Sequence, residues 1–237
     1  MKVTVDPKVL ERVPGLCVGI VAIRSMDNRA GNPEAEAFRR RCCTETNLLL
    51  RLNPSLADRD IEQYTKAMRA MGVKGEESAL SRVFDEYVDH LAEAAENQEG
   101  GTSPAATLGE LAGSDVLPRV NPLMDMIRAA MLKFHVDIHG YDVESRKAEL
   151  SVSLDEDDVV TACRGEVLCR DWIGEEIGGA ITEDAENCLL LIYGTKENRK
   201  KVAAARNELG RRMKSAFECA VESGWIEGSR NEFVTDI

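Results

Sequence analysis

Histidine and cysteine are the residues in this 237-residue sequence that are best suited to move protons or hold metals. The chain has three histidines, and a neutral imidazole near pH 7 can accept a proton or orient a water molecule. The seven cysteines include no Cys-x-x-Cys pair, and no zinc signature assembles. We therefore predict no metal or cofactor. The cysteines are interpreted as small apolar side chains in a reducing, cytoplasmic environment.

Basic residues are concentrated in one segment of an otherwise acidic chain. The formal net charge is −12, whereas residues 196–218 hold eight basic and three acidic side chains, a local charge of +5. A basic stripe on an acidic protein is typical of a local phosphate-binding surface, and a solvated helix face is the alternative. If the segment binds RNA, we expect Lys200, Lys201 and Arg211 to contact phosphates.

Hydrophobic periodicity predicts a mixed α and β fold. Short apolar and β-branched runs predict strands over residues 16–23, 150–154, 159–163, 166–169 and 188–193. Apolar residues at helical spacing predict helices over residues 32–52, 57–71, 80–95, 121–134 and 195–222. The pairs Asn32-Pro33 and Asn121-Pro122 each give an N-cap followed by proline at the first helical position.

The length and pattern favour a single domain over residues 1–237. Residues 97–106 are rich in Gly, Ser and polar side chains and predict a flexible loop or linker. A membrane-spanning helix needs about 20 apolar residues, and the longest apolar run, 188–193, is far shorter. The N-terminus shows no apolar signal region, so neither secretion nor membrane association is expected.

Several segments resemble the editing domain of the phenylalanyl-tRNA synthetase β subunit. Residues 119–142 align without gaps with its central motif and share Asn121, Asp125, Met131, Leu132, His139 and Asp142. Residues 169–172 and 181–192 are similar to the closing strand region of its free-standing members. Val5-Asp6-Pro7 and Gly19-Ile20-Val21 are similar to their opening segment.

The resemblance implies both a fold and an activity. The fold would be an α+β, layered β/β/α arrangement with a sandwich-like β core and flanking helices. The activity would be hydrolysis of the ester between a wrongly attached amino acid, typically tyrosine, and the tRNA 3′ end. Such a site needs no metal, but it must place water against the ester carbonyl and stabilise the oxyanion.

The resemblance also implies roles for particular residues. His139 occupies the position of the family's pocket-lining histidine and is the candidate catalytic group. A carboxylate in the following acidic loop, Glu175 or Glu176, would bind the polar end of the amino acid. The other candidates for substrate binding are Thr182, Arg128 and Asn121.

These candidates have structural alternatives. His139 could line a turn in the core, and Asn121 could serve only as a helix cap. Arg128 stands where the family has Asn, which changes size, charge and hydrogen bonding together, and Asp137 replaces a proline.

Two functions therefore remain open from the sequence. The first is a free-standing tRNA-editing-like protein that binds aminoacyl-tRNA and hydrolyses mischarged species in trans. The second is a non-catalytic module that holds an amino acid, nucleoside, RNA or protein on the same scaffold. Aminoacylation itself is not expected, because a synthetase's catalytic and anticodon-reading parts require far more chain.

Overall fold

The computed structural model describes most of the chain outside its central acidic region. It describes residues 1–29, 31–73, 80–83, 85–87, 89, 117, 119–144, 148–172 and 178–236. The predicted linker over 97–106 and the candidates Glu175 and Glu176 lie outside these residues, as does part of the predicted helix over 80–95.

The described residues form two β-sheets and several helices. The strands are β1 (Lys2–Val5), β2 (Cys17–Arg24), β3 (Asp137–Asp142), β4 (Glu149–Asp155), β5 (Asp158–Cys163), β6 (Glu166–Arg170), β7 (Cys188–Gly194), β8 (Ala220–Glu227) and β9 (Glu232–Val234). The principal helices are α1 (Pro7–Arg12), α2 (Pro33–Leu52), α3 (Pro54–Met71), α4 (Pro122–Phe134) and α5 (Arg199–Ala216). This confirms the predicted mixed α and β class.

The two sheets differ in their strand pairing. The outer sheet has the order β6-β5-β4-β1-β9, with β1 parallel to β4 and the other neighbours antiparallel. The middle sheet has the order β3-β7-β2-β8 and is antiparallel throughout. Within it, His139 lies opposite Leu191.

The middle sheet is buried on both faces along β2, β3 and β7, whereas its edge strand β8 is partly exposed. All seven residues of β7 are buried, and successive side chains point to opposite faces of a strand. Leu189, Leu191 and Tyr193 belong to the core between the sheets. The intervening Leu190 and Ile192 belong to the core that α2, α4 and α5 cover. The layers therefore follow the order sheet, sheet, helices.

The predicted helix starts are confirmed by their caps. Asn32 Oδ1 accepts a hydrogen bond from Ala35 N at 3.0 Å at the start of α2. Asn121 Oδ1 accepts from Met124 N at 3.0 Å at the start of α4. In both helices the cap satisfies a backbone donor that has no partner within the helix.

Three helices, α2, α4 and α5, cover the middle sheet. Two of them, α2 and α4, begin at the same end of this helix layer. Asn32 Nδ2, at the start of α2, donates to Ala216 O at the end of α5, at 2.7 Å. At the other end, Lys133 near the end of α4 pairs with Glu45 on α2 at 2.8 Å. Helices α2 and α4 thus run in the same direction and α5 runs opposite to them. None of the helices in the described ranges has the length and apolar character to cross a bilayer.

The predicted helix over 195–222 is wrong at both ends. Helix α5 begins at Arg199 and ends at Ala216, and Val221 lies in β8. Val221 continues the helical spacing of Phe217, which is why periodicity alone extends the helix. Residues 220–227 form a strand instead of extending the helix, because their backbone groups pair with β2 over eight residues. The sequence pattern does not reveal this pairing. Strand β3 is also missed, because no strand is predicted over its six residues and a turn in the core is the structural alternative given for His139.

Candidate functional site

A buried side-chain amide joins three separate parts of the chain. Asn28, which is 1% exposed, follows β2. Its Nδ2 donates to Thr182 O at 2.8 Å and to Asn121 Oδ1 at 3.0 Å, and its Oδ1 accepts from Leu123 N at 2.8 Å. The sequence does not predict this role of Asn28, because Asp27-Asn28 indicates only a turn after the strand.

Asn121 extends the same network. Its Nδ2 donates to Ile181 O at 3.0 Å, while its Oδ1 caps α4. Residues 119–142 and 181–192 are therefore in direct contact here. They also lie side by side in the middle sheet, where β3 pairs with β7.

A cleft of about 340 Å³ opens beside this network, where α2 and α4 begin. We call it the helix-start cleft. Its lining combines small, polar and charged side chains and consists of Gly31, Asn32, Pro33, Ala35, Glu36, Arg40, Arg119, Val120, Asn121, Pro122, Asp125 and Glu183. A second depression of about 420 Å³ shares residues 31–33 with it and reaches the end of α5. Of the predicted substrate-binding residues, Asn121 lines the cleft.

Three guanidinium groups meet one carboxylate on the α2 side of the cleft. Glu36 accepts from Arg39 Nη2 at 3.0 Å, from Arg40 Nε at 2.7 Å and from Arg119 Nη2 at 2.9 Å. The Arg39 side chain is fully buried, whereas the Arg40 and Arg119 side chains are 57% and 61% exposed. Arg40 and Arg119 therefore line the cleft while they pair with Glu36.

Carboxylates also line the cleft. Asp125, in the first turn of α4, is 7% exposed and accepts from Val120 N at 2.8 Å. Burial raises the pKa of this carboxyl, and the hydrogen bond from Val120 opposes that rise. Glu183 is exposed. The cleft can therefore present arginines to an anionic group and carboxylates to a cationic one.

His139 lies in a different layer from the cleft. Its side chain points into the core between the sheets, with ring centroids 6.4 Å from Tyr141 and 5.9 Å from Tyr193, and it is 1% exposed. Burial, with a smaller contribution from Arg82, lowers the pKa of His139 to about 4. The imidazole is therefore neutral at pH 7, and a substrate could reach it only by displacing the side chains around it.

Among the residues that the structure describes, the candidates Arg128 and Thr182 lie outside the lining of the cleft that holds Asn121. Arg128 is buried on α4 and forms an ion pair with Glu86. The Thr182 side chain is exposed, and it is its backbone oxygen that contacts Asn28. His139, Arg128 and Asn121 therefore occupy three different environments.

The predicted RNA-binding residues divide into two groups on α5. Lys200 and Arg211 are exposed, and Arg211 pairs with Glu208 at 2.6 Å. They are eleven positions apart, which places them on one face of the helix about 16 Å apart. Lys201 instead turns toward α3 and pairs with Asp60 at 2.6 Å.

No protein-family model matches the chain, and neither does any curated protein.

Replacing Asn28 by Ala should destabilise the fold around the cleft. The substitution removes all three hydrogen bonds of the amide and leaves buried backbone groups without these partners. We expect the free energy of unfolding to fall by about 2–4 kcal/mol, measured by urea denaturation. Asn207→Ala, at an exposed position on α5, is the matched control and should change it by about 0.5 kcal/mol or less. Equal effects of the two substitutions would contradict the role assigned to Asn28.

Proposed function

We propose that this protein binds aminoacyl-tRNA through a domain of the editing type, with the acceptor end in the helix-start cleft. The observation that carries the proposal is the contact between the two resembling segments. Asn121 of the first segment bonds Ile181 of the second, and the cleft opens at that contact. Binding sites are usually clefts in which a few polar groups converge, and here those groups come from distant parts of the chain.

The chemistry of the cleft supports this ligand. A volume of about 340 Å³ lies within the range of small-molecule sites, about 300–1,000 Å³. An aminoacylated 3′ end presents phosphate groups and an α-ammonium group. Arg40 and Arg119 are suited to the phosphates, and Glu183 and Asp125 to the ammonium.

The outer face of α5 offers a path for the rest of the RNA. Lys200, Arg211 and Lys214 are exposed on this helix, whose last residue, Ala216, contacts Asn32 at the cleft. Because the protein as a whole is acidic, an approaching polyanion favours a local basic surface.

Hydrolysis of mischarged tRNA with His139 as base has less support than binding. A general base must come within hydrogen-bond reach of the water that it activates. The burial of His139 between the sheets places its imidazole away from the cleft. We therefore propose binding as the function and treat His139-dependent hydrolysis as the outcome that would revise it.

A panel of aminoacyl-tRNAs distinguishes binding alone from binding followed by hydrolysis of the ester. We expect the purified protein to bind a charged tRNA more tightly than the same tRNA uncharged. Tyrosine on the phenylalanine tRNA is the first species to test, with filter binding for affinity and release of labelled amino acid for hydrolysis. Failure to bind any member of the panel would overturn the proposal.

The same panel tests the role of His139. Any hydrolysis that occurs should be no more sensitive to His139→Asn than to His135→Asn. His135 is a matched control because it is also buried and its pKa is also lowered to about 4. A decrease of about 10²–10⁴-fold in His139→Asn alone would assign the base role to His139 instead.

The α5 path predicts a change in the salt dependence of binding. Changing Lys200 and Arg211 together to Gln should weaken tRNA binding and reduce the slope of log K against log salt by about 0.7–0.9 for each phosphate that the variant no longer neutralises. The control changes Lys66 and Arg170 to Gln, two exposed basic residues in ion pairs elsewhere on the surface. Lys201→Gln is measured separately, because its pairing with Asp60 predicts an effect on stability. If the slope is unchanged in the Lys200 and Arg211 variant, this face of α5 does not bind RNA and is only a solvated helix face.

A further inference from the structure

Strand β8 lies at one edge of the middle sheet and is regular over its whole length. It pairs with β2 over eight consecutive residues, and the register contains no bulge. Among the strands in the described ranges, none pairs with the edge of β8 that faces away from β2. We call this the outer edge of β8. Natural edge strands are usually protected by proline, lysine or a bulge, because free backbone groups can pair with another strand. The sequence of β8 contains neither proline nor lysine.

The two acidic side chains of β8 are bonded within their own chain. Glu222 accepts a hydrogen bond from Thr235 Oγ1. Glu227 forms an ion pair with Arg199 at 2.8 Å. The charges that could keep another strand away from this edge therefore have partners already.

The pairing pattern identifies the backbone groups on the outer edge. Glu227 exchanges two backbone hydrogen bonds with Arg230, each of 3.1 Å, so its N–H and C=O groups point away from β2. This direction alternates along an antiparallel strand, so the same groups of Val221, Ser223 and Trp225 also point outward. Within the described part of the chain, no strand, turn or side chain bonds to these six groups.

The outer edge is complementary to itself under a two-fold rotation. If Ser223 lies opposite Ser223 of a second copy in an antiparallel pair, Val221 lies opposite Trp225 of that copy and Trp225 lies opposite its Val221. Residues whose groups point toward each other exchange both of their hydrogen bonds. All six outward groups of each copy then have a partner in the other.

Neighbouring registers fit less well. A register centred on Glu222 places two carboxylates directly opposite each other, which is destabilising. A register centred on Gly224 places Val221 opposite Glu227, whose outward groups are already bonded to Arg230. Complementarity therefore selects the register centred on Ser223.

The side chains agree with this register. Ser223 is exposed, and Val221 and Trp225 are half-buried. Pairs of a β-branched and an aromatic residue, and pairs of serines, stabilise antiparallel strands when they lie opposite each other. On the other face of the strand, Glu222 lies opposite Gly224, so no carboxylate meets another.

We propose that β8 pairs with β8 of a second copy of this chain across a two-fold axis at Ser223. The pairing joins two middle sheets, each of four strands, into one continuous sheet. Such an interface uses the same surface on both copies, as in most protein dimers. A single strand pair buries a small area, so we expect a dimer that dissociates on dilution. The inference does not depend on RNA binding, because β8 contributes no residue to the lining of the helix-start cleft.

Sedimentation equilibrium of the unaltered protein tests the dimer itself. We expect the average mass to rise from that of the monomer toward that of the dimer across the micromolar to millimolar range. A monomer mass at every concentration would overturn the proposal, whether the outer edge binds a strand of a different protein or none.

Ser223→Pro tests whether the outer edge is the interface. Proline is tolerated on an edge strand where its nitrogen faces away from the sheet, but it removes the N–H at the centre of the proposed pair. We expect dimerisation to weaken by about 10–100-fold, since two intermolecular hydrogen bonds are lost. Ser223→Ala keeps the N–H and is the matched control, with an effect below about 5-fold. Thermal unfolding establishes that each variant is folded, and an unchanged dimer in folded Ser223→Pro would contradict the interface.

A pair of charged variants tests the register and does not depend on the proline variant. Because residue 223 lies opposite itself, Ser223→Lys or Ser223→Glu alone should dimerise more weakly, whereas an equimolar mixture of the two should form a heterodimer. The control places the same charges at Ser55, an exposed residue at the start of α3. An equal preference for the mixture at Ser55, or a dimer insensitive to charge at position 223, would overturn the proposed pairing.

Discussion

The fold depends on the burial of both faces of its middle sheet. Every residue of β7 is buried, so one set of alternate side chains must pack against a second sheet and the other set against helices. A shift of one residue in the pairing of β3 with β7 would move His139 from the core between the sheets to the helix layer. The same constraint therefore determines the order of the layers and the environment of the imidazole.

The helix-start cleft follows from how the helix layer meets this sheet. Because α2 and α4 run in the same direction, their first turns, whose backbone donors have no partner within the helix, lie at one end. Asparagine caps and the Asn28 network bond to donors at these starts, and the arginines around Glu36 gather at the same end. Polar and charged groups are thus concentrated beside a cleft, whereas His139 lies against aromatic rings.

The features that could be predicted from the sequence are those that depend on local chemistry. The pairs Asn32-Pro33 and Asn121-Pro122 mark two helix starts at the correct residues, because capping involves only neighbours along the chain. Contacts distant in sequence leave no such signal. Asn28 meets Asn121 across 93 residues, and β8 exists because β2 pairs with it. The position of His139 between two sheets also depends on contacts distant in sequence, and an isolated histidine has no periodic signal that would reveal it.

The central claim is that ligand binds in the helix-start cleft and not beside His139. A crystal structure of the protein with a non-hydrolysable amide analogue of 3′-aminoacyl-adenosine 5′-phosphate tests it most directly. The account predicts the analogue in the cleft, with its phosphate within hydrogen-bond distance of Arg40 and Arg119. An analogue bound between the two sheets, against His139 and Tyr193, would contradict it.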